Sequence, residues 1–249
     1  MELVQELGRL FPMEIVYLFI GSKYSALVAD LIFGEEMSNF GETPTVVYVA
    51  DVYCGWCWGF KDILAKFEQE NRHRVRFTAI SGGLFVGPRA AAIAAYPHIP
   101  AANARIAELT GAHFGDNYLR LLEEGTIVTD STDAAIAHAA LRAQDPERAI
   151  DWVHLLQEKF YVHGRSLSDH ETVADIAKAN GLDVEKVLAQ MTDGTAKAAA
   201  KADFAQASMF QVASFPTLLF VEETGAHKLP ATGTSVEVLN MWLDDLLVQ

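Results

Sequence analysis

The chain has 249 residues, 51% of them hydrophobic and 21% charged, with a formal net charge of −14 at pH 7. That length suffices for one large domain, or one domain carrying a substantial insertion, around a buried core. The acidic surplus repels phosphate backbones and anionic headgroups, which excludes nucleic acid as the expected partner and argues against a membrane surface.

Residues 1–43 read as an N-terminal helical extension. Its opening, MELVQELG, carries two glutamates and no basic stretch, unlike an export signal. The apolar run from Ile15 to Phe33 is interrupted by Lys23 and Asp30, so it is expected to pack or meet a partner rather than span a bilayer. After the turn-rich Glu35–Pro44, TVVYVA (Thr45–Ala50) predicts a short buried strand. Both cysteines follow at once in DVYCGWCWGF (Asp51–Phe60). Phe60, Ile63, Leu64 and Phe67 then recur at helical spacing, which places the Cys54–Cys57 pair on the first turn of a helix. A second strand is predicted over Arg74–Ile80, where Val75, Phe77 and Ala79 share one face; SGGLFVGP (Ser81–Pro88) ends it in a turn. Strand, helix and strand at this spacing make a βαβ unit with parallel strands.

From 89 to about 205 the pattern is helical, with helices expected over Thr132–Ala143, Glu147–Gly164, Ser168–Gly181, Asp183–Met191 and Thr195–Phe210. A strand returns at FPTLLFVEE (Phe215–Glu223). A turn-rich stretch and a further short strand are expected next, then a closing amphipathic helix over Ser235–Leu247.

Two cysteines in a chain this long are no disulfide framework, and a bridge across two intervening residues removes little entropy from the unfolded chain. Redox chemistry is the better account. A helix N-terminus presents unpaired N–H groups and favours an anion, so Cys54 is placed to attack as a thiolate. Cys57, one turn deeper, suits the resolving thiol, which makes the second step of an exchange intramolecular. A zinc site is disfavoured, because the eight histidines are scattered and no second ligand pair exists; neither metal nor cofactor is called for. Most of those histidines read as surface or helix-face residues. Asp51 has two readings, a proton relay for the resolving cysteine or a turn residue. Trp56 and Trp58 read as an apolar lip for substrate, with core packing an equal reading for Trp58.

CGWC after an apolar strand resembles the active site of thioredoxin-fold proteins. The long helical block between the two β halves resembles their DsbA-like branch, and SGGLFVG with SFPTLLF most resembles protein-disulfide isomerases of that branch. The resemblance covers Thr45 to the C-terminus. It implies an α/β thioredoxin fold whose halves, 44–88 and 206–249, flank an all-helical insertion over 89–205, with residues 1–43 outside it. It implies catalysis by Cys54 and Cys57, with Gly55, Trp56 and Asp51 in the active-site loop. It also implies a substrate loop at Ser214, Phe215, Pro216 and Thr217, with Pro216 cis and Phe215 facing the cysteines. The implied activity is thiol–disulfide exchange with protein or peptide thiols, with glutathione a further candidate partner. The central dipeptide Gly55-Trp56 supplies no charge, so the pair is expected to be less oxidising than CPHC-type sites. The N-terminus, unlike an export signal, points to the cytoplasm, where a paired CxxC reads as catalytic rather than structural, and the N-terminal extension to homo-oligomerisation. Two alternatives stand beside this reading. One is a glutathione-dependent enzyme resembling kappa-type transferases or hydroxychromene carboxylate isomerases, against which the paired cysteines argue. The other is a non-catalytic thioredoxin-fold binding module, which would bury both thiols.

Overall fold

The computed structural model describes residues 43–248, so the expectations placed on residues 1–42, oligomerisation included, lie outside the described residues. Strand β1 (Thr45–Ala50) is buried along its whole length, which suits its run of valines. Helix α1 (Gly55–Asn71) carries the chain across to β2 (Arg76–Ser81). The two strands run parallel, Thr45 opposite Arg76 and Ala50 opposite Ser81, which the helical crossover permits. The second strand thus begins two residues later than expected: Arg74 forms the turn off α1, its N–H donating to the Asn71 carbonyl at 2.8 Å.

The middle of the chain holds a two-residue ladder, β3 (Ala91–Ala92) against β4 (Val128–Thr129), which periodicity does not reveal. Helices α2 (Ile99–Thr110) and α3 (Asp116–Glu124) lie between these strands, each ending on a glycine with positive φ, Gly111 and Gly125. Then come α4 (Ser131–Gln144), α5 (Ala149–Tyr161), α6 (His170–Ala179), α7 (Val184–Thr192) and α8 (Thr195–Met209). Aspartates cap three of them: Asp130, Asp169 and Asp183 accept N–H bonds from Thr132, Glu171 and Lys186.

Strand β5 (Thr217–Glu222) pairs antiparallel with β1 on the side away from β2, and β6 (Gly225–Leu229) pairs antiparallel with β5. The sheet order is β2-β1-β5-β6. Helix α9 (Val236–Leu247), capped by Ser235, closes the described chain. This is the thioredoxin arrangement expected from the resemblance, with helices standing between its two β parts.

The pleat of β1 divides the core. Val46, Tyr48 and Ala50 face one side, packed with Leu64 and Phe67 of α1 and Leu239 and Leu243 of α9. Val47 and Val49 face the other with Ile80, Leu219, Val221 and Ala207 of α8. Each large side chain so buried contributes about 1.5–3 kcal/mol. The β2 edge is closed by side chains. Arg142 donates to the Ala79 carbonyl at 2.6 Å, Asp203 accepts the Ser81 N–H at 2.9 Å, and the two side chains pair at 2.7 Å. His138 departs from the surface reading given to most histidines. It is fully buried between the Ser81 hydroxyl (3.3 Å from Nδ1) and the Ala149 carbonyl (3.0 Å from Nε2). A carbonyl only accepts, so Nε2 carries the proton and Nδ1 receives the hydroxyl. Burial holds the ring neutral, its pKa pushed down to about 3.

Candidate active site

Where β1 ends, the chain turns through Asp51, Val52 and Tyr53, and the Cys54 N–H donates back to the Asp51 carbonyl at 3.0 Å. Cys54 is the N-cap of α1, in extended backbone geometry, and its side chain makes no capping bond. Its sulfur donates instead to the Phe215 carbonyl at 3.4 Å, across 161 residues of chain. The Phe215–Pro216 peptide bond is cis. The two segments singled out in the sequence therefore meet at one sulfur.

Both cysteines are free thiols. Cys54 keeps 7% of its surface and Cys57 none, so any attack from outside must come to or from Cys54. Burial, followed by the neighbouring Cys54, pushes the Cys57 thiol well above its usual range; the Asp51 main chain and the Tyr48 hydroxyl pull it down. Fully buried Tyr48, on β1, sets its hydroxyl 3.5 Å from the Cys57 carbonyl.

Gly55 and Gly59 let this end of α1 approach α2 closely. A Cβ on Gly55 would lie 2.9 Å from Ile106 Cδ1 and 3.0 Å from Asn103 Oδ1; one on Gly59 would lie 2.8 Å from Ile106 Cγ2. The tryptophans divide their roles. Trp56 is half-buried at the rim. Trp58 is core, so the lip reading fails for it: it stacks on Tyr161 at 5.7 Å and donates its indole N–H to the His113 carbonyl at 2.9 Å. Tyr161 belongs to an aromatic cluster with Phe114, Tyr118 and Phe160, ring centroids about 5 Å apart.

Asp51 is a buried clamp. One carboxylate oxygen accepts the Tyr53 N–H at 2.9 Å and the other the Leu84 N–H at 2.7 Å, which ties the cysteine turn to the Ser81–Gly87 loop. Burial raises its carboxyl above the ordinary range, and these hydrogen bonds work against the rise. The same loop meets the cis-proline segment, Ser214–Thr217. Gly82 has no side chain because the Phe215 ring occupies that space. In that segment Ser214 is exposed, Phe215 half-buried, Pro216 and Thr217 buried, and the Thr217 hydroxyl donates to the Ser214 carbonyl at 2.8 Å.

Tyr48 and Gly82 were not read from the sequence as site residues. A phenol among the apolar residues that follow Thr45 in β1 was the available signal for Tyr48, since a buried hydroxyl needs a partner. Among the described residues no group of three or more His, Cys, Asp or Glu is arranged to hold a metal, and no helix is long and apolar enough to cross a membrane.

A family model described as Thioredoxin matches residues 46–229. No curated protein matches the chain in sequence. Among solved structures, a Nitrosomonas europaea protein provisionally assigned as a protein disulfide isomerase superposes with a TM-score of 0.71 at 20% identity, over 83% of this chain and 98% of its own. The cytosolic disulfide reductase DsbM of Pseudomonas aeruginosa gives 0.69 at 22% identity, over 82% and 100%. Its structure with GSH gives 0.68 at 24%, over 82% and 99%.

Proposed function

The chain belongs to the thioredoxin family, and from that premise we propose that it is a thiol–disulfide oxidoreductase exchanging disulfides with protein or peptide thiols through Cys54 and Cys57. One observation carries the reading: the outer thiol of the pair is bonded to the carbonyl of Phe215, the residue before a cis-proline, while its partner lies fully buried one turn deeper. Catalytic roles for the two cysteines, and a substrate-facing role for Ser214–Thr217, are part of this proposal.

In the reducing direction, the Cys54 thiolate attacks one sulfur of a substrate disulfide. A Cys54–substrate bond forms and the other substrate sulfur leaves as a thiolate. Cys57 then attacks Cys54, the Cys54–Cys57 bond forms, and the second substrate sulfur departs. The substrate gains two electrons and two protons, and the pair loses them. The Phe215 carbonyl, which holds the Cys54 S–H in the free dithiol, can accept a main-chain N–H from an extended peptide lying over the loop. Glutathione as partner and a cytoplasmic setting belong to the same proposal, supported by the structural likeness to a cytosolic reductase solved with GSH.

One observation favours a binding module instead: Cys54 retains only 7% of its exposure. Equilibration in glutathione buffers of stepped ratio separates the two, with Trp56 fluorescence as the readout and Cys54→Ser as the control. A single reversible two-electron transition, abolished in the control, is expected. A midpoint near about −270 mV would make the protein a reductase and one near about −120 mV an oxidase. A flat response in the native chain would refute exchange.

A further inference from the structure

Tyr48 is the one hydroxylated side chain in the six residues of β1 that points into the main core, and its hydroxyl reaches Cys57. It is fully buried, so its hydroxyl has no recourse to water. Its hydrogen bond to the Cys57 carbonyl, at 3.5 Å, lies at the outer limit for an O–H donor, where about 2.7–2.8 Å is usual. A buried donor so weakly engaged next to a sulfur will turn to that sulfur when it becomes an anion, because charge-assisted bonds are roughly twice as strong as neutral ones.

We propose that Tyr48 is a positioning residue for the resolving step, its hydroxyl donating to the Cys57 thiolate as that thiolate attacks the Cys54 mixed disulfide. This rests on the exchange reading above. In the step, the Cys57–Cys54 bond forms and the bond between Cys54 and the substrate sulfur breaks. The departing thiolate takes up, through solvent, the proton that Cys57 has released. Tyr48 keeps its own proton throughout. Burial, with the nearby cysteines and Asp51, holds its phenol far above the usual range.

Two groups favour the Cys57 thiolate, the Asp51 main chain and the Tyr48 hydroxyl, and of these only Tyr48 acts through a side chain. Cys57 is faced by Cys54 and the Asp51 main chain on its own segment, by Tyr48 from β1 and by Tyr161 from α5. Tyr161 is pushed far up by burial and stays neutral. His154, whose ring lies 6.4 Å from that of Tyr48, is pushed down to about 4 by burial and is neutral near pH 7. The cations that act on these neighbours, Arg89 on Asp51 and Lys61 on His154, do not act on Cys57 itself, so the Tyr48 hydroxyl is the side-chain donor this end of the core offers a buried thiolate.

The test separates the two chemical steps. Dithiobis-nitrobenzoate reacts at Cys54 in a bimolecular phase that releases one coloured thiolate. Attack by Cys57 releases the second in a first-order phase. Cys57→Ser should stop after the first. Tyr48→Phe keeps the ring and is expected to leave the first phase within about twofold, while slowing the second about tenfold near neutral pH and moving the midpoint of its pH profile to the alkaline side. An unchanged second-phase rate and midpoint would overturn the assignment. So would equal slowing of both phases, which marks a general loss of packing. Absence of any first phase in the native chain would instead overturn the exchange reading.

Discussion

Gly82→Ala is the sharpest probe of how the site is held. Its φ is not positive, so alanine adds no backbone strain there. What it adds is a methyl group where the Phe215 ring already lies. The new Cβ would stand 2.7 Å from Cδ1, with Cε1 and Cζ closer still. Carbon atoms in ordinary contact sit about 3.5–4.0 Å apart, so the ring must retreat by more than about 1 Å. Gly82 is fixed from behind, its N–H donating to the Ala50 carbonyl at 2.7 Å, so the glycine cannot yield instead. The half-buried Phe215 ring can swing outward, which keeps the stability loss near the lower end of the about 1–3 kcal/mol typical of overpacking. The larger effect falls on chemistry. Phe215 supplies the carbonyl that meets the Cys54 sulfur, and a displacement of about 1 Å at a reacting centre can lower a rate by as much as a hundredfold. A fall of about ten- to a hundredfold is therefore expected in the rate of reduction of a peptide disulfide, with the unfolding midpoint little changed. Removing the ring in Gly82→Ala/Phe215→Ala should make the two changes strongly non-additive. A Gly82→Ala protein that exchanges disulfides at the native rate would refute the reasoning.

Three further outcomes follow from the buried polar groups. His138 has a folded pKa of about 3, below its ordinary 6.5, so its contribution is complete above pH 6.5 and is lost as the unfolded chain takes up the proton below it. Between pH 7 and 5 urea unfolding should show a loss of about 2 kcal/mol that His138→Gln lacks; parallel curves for the two proteins would contradict this. Arg142→Met removes the guanidinium that neutralises the buried Asp203 carboxylate and should cost about 3–5 kcal/mol, much of it recovered in Arg142→Met/Asp203→Asn. A loss under about 1 kcal/mol would show that the pair does not hold the β2 edge. Asp51→Asn leaves one acceptor for two N–H groups, so it should cost about 1–3 kcal/mol and slow exchange; hydrogen exchange at the Tyr53 and Leu84 amides should rise, and native protection at both would argue against the clamp.

Local chemistry was legible in the sequence. The CxxC lies at the strand–helix junction because a β-branched run ends at Ala50 and helical periodicity begins at once beyond it. Three of the helix starts after position 130 are marked by Asp130, Asp169 and Asp183, whose side chains bond the first-turn N–H groups as capping requires. Boundaries slipped where a side chain or a turn intervenes. Pro146–Arg148 forms a short 3-10 turn before α5 begins at Ala149, two residues later than the pattern suggested. The β3–β4 ladder escaped notice because two-residue strands have no period to detect.

What escaped within the site is the set of contacts between segments far apart in the chain. Nothing near Gly82 in the sequence announces a phenylalanine 133 positions on, yet that ring decides why glycine is there. In CGWC the cysteines draw the eye, and Gly55 reads as a spacer until Ile106 and Asn103 are found against it. Asp51 had two local readings, relay or turn. Its geometry answers a third question, how the cysteine turn is fastened to the loop that carries Gly82. The chain of support then runs from Asp51 through Leu84 and Gly82 to Phe215, and back to Cys54 through the Phe215 carbonyl. Each link between segments is a hydrogen bond or a van der Waals contact, and short stretches of main chain join them. The loop closes on the sulfur proposed to do the chemistry, so a change at any link should be felt at Cys54 even where no substrate atom touches it.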